Sequence, residues 1–324
     1  MNEAPGYVPL LTPSGGVPPL VDSPARLEEA VVALARGSGP IAVDTERASG
    51  YRYSQRAYLV QLRRAGTGTV LLDPIAIDDL SSLAEVLNPA EWVLHAASQD
   101  LPCLAELNLR PTVLFDTELA GRLVGYERVS LGALVEQLLG FRLEKGHGAM
   151  DWSRRPLPAD WLTYAALDVE LLLSLAEAIA AELDTQGKRG WADEEFEAVR
   201  TAGPPCPRAD RWRRTSGIHR VRAPRQLAAV RELWAAREEL ARRSDTAPAR
   251  VLPDSAVVAA ALIDPPDEAA LVALPVFGGR AQRRQVRIWD AALRRARELP
   301  ATELPSSRST TGGLPPVNRW QERN

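Results

Sequence analysis

Asp44 and Glu46 follow directly on the apolar run Ile41-Ala42-Val43. Residues two apart on a strand project to the same face, so both carboxylates point one way. With 42 acidic residues in the chain, about one Asp-x-Glu triplet arises by chance. The weight comes from its place at the end of a buried run, since sheet ends are where ligand sites gather. Tyr164 and Asp168 stand four apart in a helical segment, hence one turn from each other on one face. Ala165, Ala166 and Leu167 around them mark that face as buried, and a buried Asp without a partner is costly enough to imply a cation. The third piece is His95-Ala-Ala-Ser-Gln-Asp100, where a strand ends at His95 and Asp100 falls in the first turns of a helix. A helix dipole alone would favour an anion there. His95 reads as a hydrogen-bonded structural histidine rather than a metal ligand. Together these are oxygen donors of the kind that hold a hard divalent cation.

The elements that carry them alternate in type. Pro24 to Arg36 reads as a helix with Leu27, Ala30, Val31 and Leu34 on one face. Strand-like runs follow at Ile41–Glu46, Ala57–Arg63 and Thr69–Asp73, then helical and extended segments in turn: Asp79–Leu87, Trp92–His95, Gln99–Leu107, Val113–Phe115 and Thr117–Val124. A helix over Leu131–Leu139 is expected to end at Gly140. Pro158 opens a long helical stretch to about Leu183. Three strands in hairpin order followed by β-α-β-α units imply an α/β fold with a mixed sheet. Ala202-Gly-Pro-Pro-Cys-Pro-Arg208 is linker by composition. Beyond it the pattern is helical only, over Arg222–Arg243, Asp254–Leu262, Asp267–Leu274 and Arg280–Glu298, which predicts a small bundle. The expected division is a flexible tail (1–20), a catalytic domain (21–200), a linker (201–216), an all-α domain (217–300) and a disordered tail (301–324). The last ends as if cut off mid-segment.

The order of strand-borne Asp44-Thr45-Glu46, helix-borne Asp100, and Tyr164-x-x-x-Asp168 resembles the 3′→5′ exonuclease family of ribonuclease D, in its tyrosine-containing (DEDDy) subgroup. Asp116-Thr117 and Asp151-Trp152-Ser153-Arg154-Arg155-Pro156-Leu157 belong to the same resemblance, which covers roughly Leu20 to Asp193. It implies a ribonuclease-H-like mixed α/β sheet and a site of two divalent ions, Mg²⁺ or Mn²⁺. Asp44 is then the bridging ligand, and Glu46, Asp100 and Asp168 complete the cage. Such a pair, about 3.5–4 Å apart, activates water and neutralises charge on the attacking and leaving oxygens of a phosphodiester. Tyr164 orients the water; with an ordinary pKa of about 10 its phenol is a poor base at neutral pH. Met150 departs from the pattern, standing where such proteins often carry a small hydroxyl residue.

The net charge of −3 hides a division. From Thr201 to Asn324 there are 22 arginines and 13 acids; the first 200 residues hold 17 basic and 29 acidic ones. An acidic half with a metal site joined to a basic half fits a nuclease tethered to a nucleic-acid-binding module. The basic lead-in at Arg211-Trp212-Arg213-Arg214 through Arg222, with the helices after it, resembles the helicase-and-ribonuclease-D C-terminal (HRDC) domain over about Gly217 to Leu299. Arg280, Arg283, Arg284 and Arg287 are candidates for phosphate contacts, or equally a solvated helix face. No apolar run is long enough to span a membrane. Cys103 and Cys206 are too few for a disulfide scaffold, and the expected compartment is the cytoplasm. The expected substrate is RNA at its 3′ end, released as 5′-mononucleotides, with tRNA precursors and other structured RNAs foremost. The alternatives are a 3′→5′ exonuclease on DNA ends, or a nucleic-acid-binding scaffold with an inactive nuclease fold. Retention of all four carboxylates weighs against the last.

Overall fold

The computed structural model describes residues 6–143, 146–203 and 209–306, in two compact units that divide between positions 206 and 207. In the first unit the chain runs through β1 (Val8–Leu10), β2 (Leu20–Val21), α1 (Pro24–Arg36), β3 (Ser38–Arg47), β4 (Ala57–Ala65) and β5 (Gly68–Leu72). It continues with α2 (Ser81–Leu87), β6 (Glu91–Leu94), α3 (Leu101–Glu106), β7 (Val113–Asp116), α4 (Thr117–Val124) and α5 (Leu131–Leu139). Then come β8 (Phe141–Leu143), α6 (Ala159–Glu170), α7 (Leu172–Thr185) and α8 (Arg189–Thr201). Six strands form a sheet in the order β2-β5-β4-β3-β6-β7. β4 is antiparallel to both its neighbours, and the other pairings are parallel. β3 is therefore internal, and Ile41, Ala42 and Val43 are buried to within 1%. A strand covered on both faces reads as a continuous apolar run rather than an alternation, and that is the pattern preceding Asp44. α6 packs on β3, β4 and β5, and α7 on β3 and β6. Both helices therefore pack on β3, the strand that carries Asp44 and Glu46.

Several elements depart from the sequence pattern. The stretch expected to be a flexible tail contains β1, which pairs in parallel with β8, and Ser14 donates to Glu170 Oε1 through its backbone N–H (3.1 Å) and its hydroxyl (2.6 Å). Pro9 and Pro13 hide this in composition, because a three-residue edge strand can accommodate prolines that an internal one cannot. The long helix expected from Pro158 to Leu183 is two helices, broken at Leu171 (φ −106°, ψ 2°). Glu170, at the break, is held by Ser14 and by an ion pair with Arg63 (2.9 Å), a tertiary tie that local propensity cannot register. α8 lies where no helix was expected. Only Ala192 and Phe196 are buried on it, too few apolar positions to mark a period.

The second unit is helical: α9 (Pro224–Ser244), α10 (Pro248–Val251), α11 (Asp254–Ile263), α12 (Glu268–Ala273), α13 (Arg280–Arg284) and α14 (Val286–Glu298). α9 packs against α11 and α14, burying Val230, Leu233, Arg237 and Ala241 at helical spacing. Buried Arg237 donates to Leu252 O (3.2 Å) and Asp254 Oδ1 (2.5 Å). The expected helix over 280–298 is split at Gln285 (φ −109°, ψ 12°). The linker expected over 201–216 is ordered from residue 209. Trp212 is 4% exposed there, and a 3₁₀ turn spans Arg211–Arg214. Of the expected disordered tail, Ala301–Glu303 forms a 3₁₀ turn; residues 204–208 of the linker and 307–324 of the tail lie outside the described residues.

Candidate active site

β3 delivers Asp44 and Glu46 at its C-terminal end and α6 delivers Asp168. One oxygen from each of the three carboxylates lies within 4.8 Å of the others. Glu46 is buried, while Asp44 and Asp168 stay half-buried. Asp44 and Asp168 line a groove of about 360 Å³ together with Tyr164, His95, Leu131 and Leu143. A larger depression of about 820 Å³ among Arg56, Asp78 and Glu106 includes none of the candidate residues. The chemistry, not the size, identifies the site.

Burying these three acids together, with Asp100 near by, has a proton consequence. Burial, then the Asp100 and Asp168 charges, lifts Asp44 well above the usual carboxylate range. Burial, then Asp44, Asp168 and Asp100, pushes Glu46 up to about 10. Burial pushes Asp168 up to about 7, held back by a hydrogen bond from Tyr164. Carboxyls that keep protons at neutral pH when left to themselves are carboxyls whose charge is waiting for a counter-ion, and all their donors are the oxygens that Mg²⁺ or Mn²⁺ prefers. The Tyr164 phenol is itself pushed far up by burial, then by Asp168, Glu46 and Asp44. It stays protonated and acts as a donor.

Asp100 stands apart from the three. Its Oδ1 accepts from Thr45 Oγ1 (2.6 Å) and lies 3.8 Å from Arg47, whose other guanidinium nitrogen donates to Gln99 O (2.8 Å). Burial raises Asp100 to about 6, with Thr45 and then Arg47 pulling the other way. Its side chain makes no capping bond to α3, so the capping explanation for an acid at this place does not account for it. Thr45 and Arg47 alternate with Asp44 and Glu46 along β3. Period two puts Thr45 on the other face, while Arg47 follows a register shift after Glu46; the alternation of Thr45 with the acids is legible in the sequence although the acids alone do not point to it.

Asp116 builds the turn that carries Asp100. Its carboxylate accepts from the N–H groups of Ala96 (3.1 Å) and Ala97 (2.8 Å) and caps α4 through Glu118 (2.9 Å) and Leu119 (3.2 Å). Ala96 sits in the left-handed region (φ 59°, ψ 51°), uncommon for a residue with a Cβ, and Asp116 is what holds it. Thr117 Oγ1 meets His95 Nδ1 at 2.9 Å, and burial lowers the His95 pKa, so the ring is neutral at neutral pH. The Asp151–Leu157 segment is fixed by Arg155, which grips Asp73 with two nitrogens (2.6 and 2.7 Å) and donates to Tyr58 O (2.8 Å). Trp152 is fully buried beside Trp161 (centroids 5.2 Å apart).

In the second unit the arginines fall into two kinds. Arg294, Arg295 and Arg297 are ion-paired to Asp290, Glu232 and Asp264. Arg280, Arg283, Arg284 and Arg287 are exposed, and among the described residues none is in an ion pair.

Residues 19–184 match the family model described as 3′-5′ exonuclease, and residues 226–298 match that of the HRDC domain. The ribonuclease D of Nitrobacter hamburgensis is 32% identical over 296 residues, covering 86% of this chain and 74% of that protein. Across the first curated ribonuclease D relatives, the chain spans 63 to 74% of their length. A crystal structure of a protein from Bifidobacterium adolescentis is 38% identical, with a TM-score of 0.88 over 94% of this chain and 80% of that one. That of Escherichia coli ribonuclease D, described as an exoribonuclease involved in structured RNA processing, is 27% identical, with a TM-score of 0.71 over 92% and 80%.

Proposed function

The chain belongs to the ribonuclease D family of 3′→5′ exonucleases, and from that membership we propose that it hydrolyses RNA from the 3′ end to 5′-mononucleotides. The observation that carries the reading is the convergence of Asp44 and Glu46 from β3 with Asp168 from α6 to within 4.8 Å. Precursors of tRNA and other structured RNAs are the proposed substrates, in line with the structured-RNA role ascribed to the Escherichia coli relative.

The residues present fit a pair of Mg²⁺ or Mn²⁺ ions, since every donor is a carboxylate oxygen whose charge needs compensation. Such a pair supplies acidity to the attacking water and neutralises the scissile phosphate and leaving oxygen. By the family resemblance Asp44 would be the ligand shared by both ions. Asp100 commits Oδ1 to Thr45 and has Oδ2 left to complete the set. Tyr164, kept protonated, donates to Asp168 and leaves its lone pairs to accept from the attacking water. That is a positioning role, not general-base catalysis. The four unpaired arginines at 280–287 are assigned to RNA phosphates, which take Arg readily. The proposed compartment is the cytoplasm. No helix among the described residues is long and apolar enough to cross a membrane.

The test is substitution of Asp44, Glu46, Asp100 and Asp168 singly by Ala. Hydrolysis is expected to drop to background while RNA binding is kept. Near-normal turnover in any two of these variants removes the ligand assignment.

A further inference from the structure

Gln61 lies in β4 directly across from Asp44 in the antiparallel register. Opposed residues of such a pair share a face, with Cβ atoms about 4.5–5.5 Å apart. The Gln61 side chain is therefore on the acid-bearing face of the sheet. It is fully buried, and neither Oε1 nor Nε2 has a partner; among the described residues no other side chain is left with two buried polar atoms unsatisfied. A buried amide with nothing to bond is unfavourable, and native structures retain such groups where a ligand or a functional state completes them. Its neighbour on the same face, Arg63, cannot serve as the missing partner: Arg63 is taken by Glu170 (2.9 Å) and Thr69 Oγ1 (2.8 Å). The acceptor that the strand register sets directly across from Gln61 is the Asp44 carboxylate.

We propose that Gln61 is a positioning residue of the cation site, its Nε2–H donating to the Asp44 carboxylate and aiming it at the bound ions, with Oε1 open to a water in the site. The inference rests on the cation assignment made above. It predicts that the amide acts on metal affinity and not on the stability of the metal-free fold. Those two quantities separate a positioning role from packing.

The experiment compares the full chain with Gln61→Met, which keeps length and drops the amide. Manganese binding is followed by calorimetry, and unfolding is followed in chelator. The expected result is a Kd for Mn²⁺ weakened by about 10–100-fold, the usual cost of losing a group that orients a ligand. The melting temperature of the metal-free protein should be equal to or above wild type, because an unsatisfied amide has been removed. Affinity within about twofold of wild type overturns the proposal, and so does loss of metal-free stability with affinity unchanged. If Gln61→Met does not fold, the wild-type chain decides. The Gln61 side-chain amide signals, assigned by NMR through the backbone, must shift and gain exchange protection on addition of Mg²⁺; unchanged signals overturn the proposal. Wild type failing to bind Mn²⁺ at all sinks the cation reading and this inference with it. Wild type and variant binding equally sinks this inference alone.

Discussion

The carboxylate cluster destabilises the metal-free fold, and Glu46→Gln should reveal it. The Glu46 carboxyl rises from 4.5 to about 10 in the native state, chiefly through burial. A group whose folded pKa lies above its unfolded value binds its proton more tightly when folded. Its contribution is therefore most favourable below pH 4.5 and is lost steadily as the pH rises toward 10. At pH 7 the unfolded chain has gained about 2.5 pH units of ionisation that the folded chain has not, a penalty of about 3 kcal/mol at 1.36 kcal/mol per unit. Gln has the same size and carries no proton, so the variant escapes the penalty. Urea unfolding in chelator should show Glu46→Gln and wild type differing least near pH 4 and the variant gaining about 3 kcal/mol on wild type by pH 7. Free Mg²⁺ at about 100 times its Kd should return about 2.7 kcal/mol to wild type by linkage and close the gap. A variant no more stable than wild type at pH 7 in chelator, or a difference that does not move with pH, would show that the buried Glu46 carboxyl does not cost the metal-free fold its stability.

Three further outcomes follow from the same geometry. Tyr164→Phe should lower the rate by roughly 10²–10⁴-fold with Mn²⁺ affinity and fold unchanged; a wild-type rate at saturating metal reduces Tyr164 to a packing residue. Cation affinity should rise with pH from 5.5 to 8, because Asp100 (about 6) and Asp168 (about 7) must shed protons for the ions to bind; calorimetry in buffers of different ionisation enthalpy should register proton release at pH 7, and a pH-independent Kd contradicts it. Ending the chain at residue 206 should leave cleavage of short single-stranded oligonucleotides intact once folding is verified. The salt dependence of binding to a tRNA-sized ligand should then become shallower, by about 0.7–0.9 in log–log slope for each phosphate that the arginines no longer neutralise. Coincident slopes would make Arg280, Arg283, Arg284 and Arg287 a solvated surface.

Local period accounts for each pair of site residues, and the order of the motifs, through the family resemblance, for the expectation that they join in one cage. Asp44 and Glu46 share a face because a strand repeats every two residues, and Tyr164 and Asp168 because a helix brings i and i+4 together. The meeting of the two pairs is tertiary, and no local pattern contains it. The roles of Asp116 and Thr45 were hidden for the same reason: Asp116 acts on backbone N–H groups 19 and 20 residues away, and Thr45 on a carboxylate 55 residues away. The motif showed that Asp100 was acidic and helix-borne, but not that Thr45 and Arg47 hold its Oδ1 apart from the other three carboxylates. The N-terminal strand was masked by its prolines. α8 was masked by a sequence so charged that two buried side chains hold it in place. Gln61 carries no sequence signal at all; only register and burial single it out.

A cation-dependent hydrolysis that begins at an RNA 3′ end can be seen in one digestion. The full chain is incubated with a single RNA labelled at its 5′ end, and with the same RNA labelled at its 3′ end, each with Mg²⁺ or with chelator. Immediate release of labelled 5′-mononucleotide is expected from the 3′-labelled RNA, and a ladder shortening by one nucleotide at a time from the 5′-labelled one, both abolished by chelator. Internal fragments, shortening from the 5′ end, or digestion that survives chelation would contradict it.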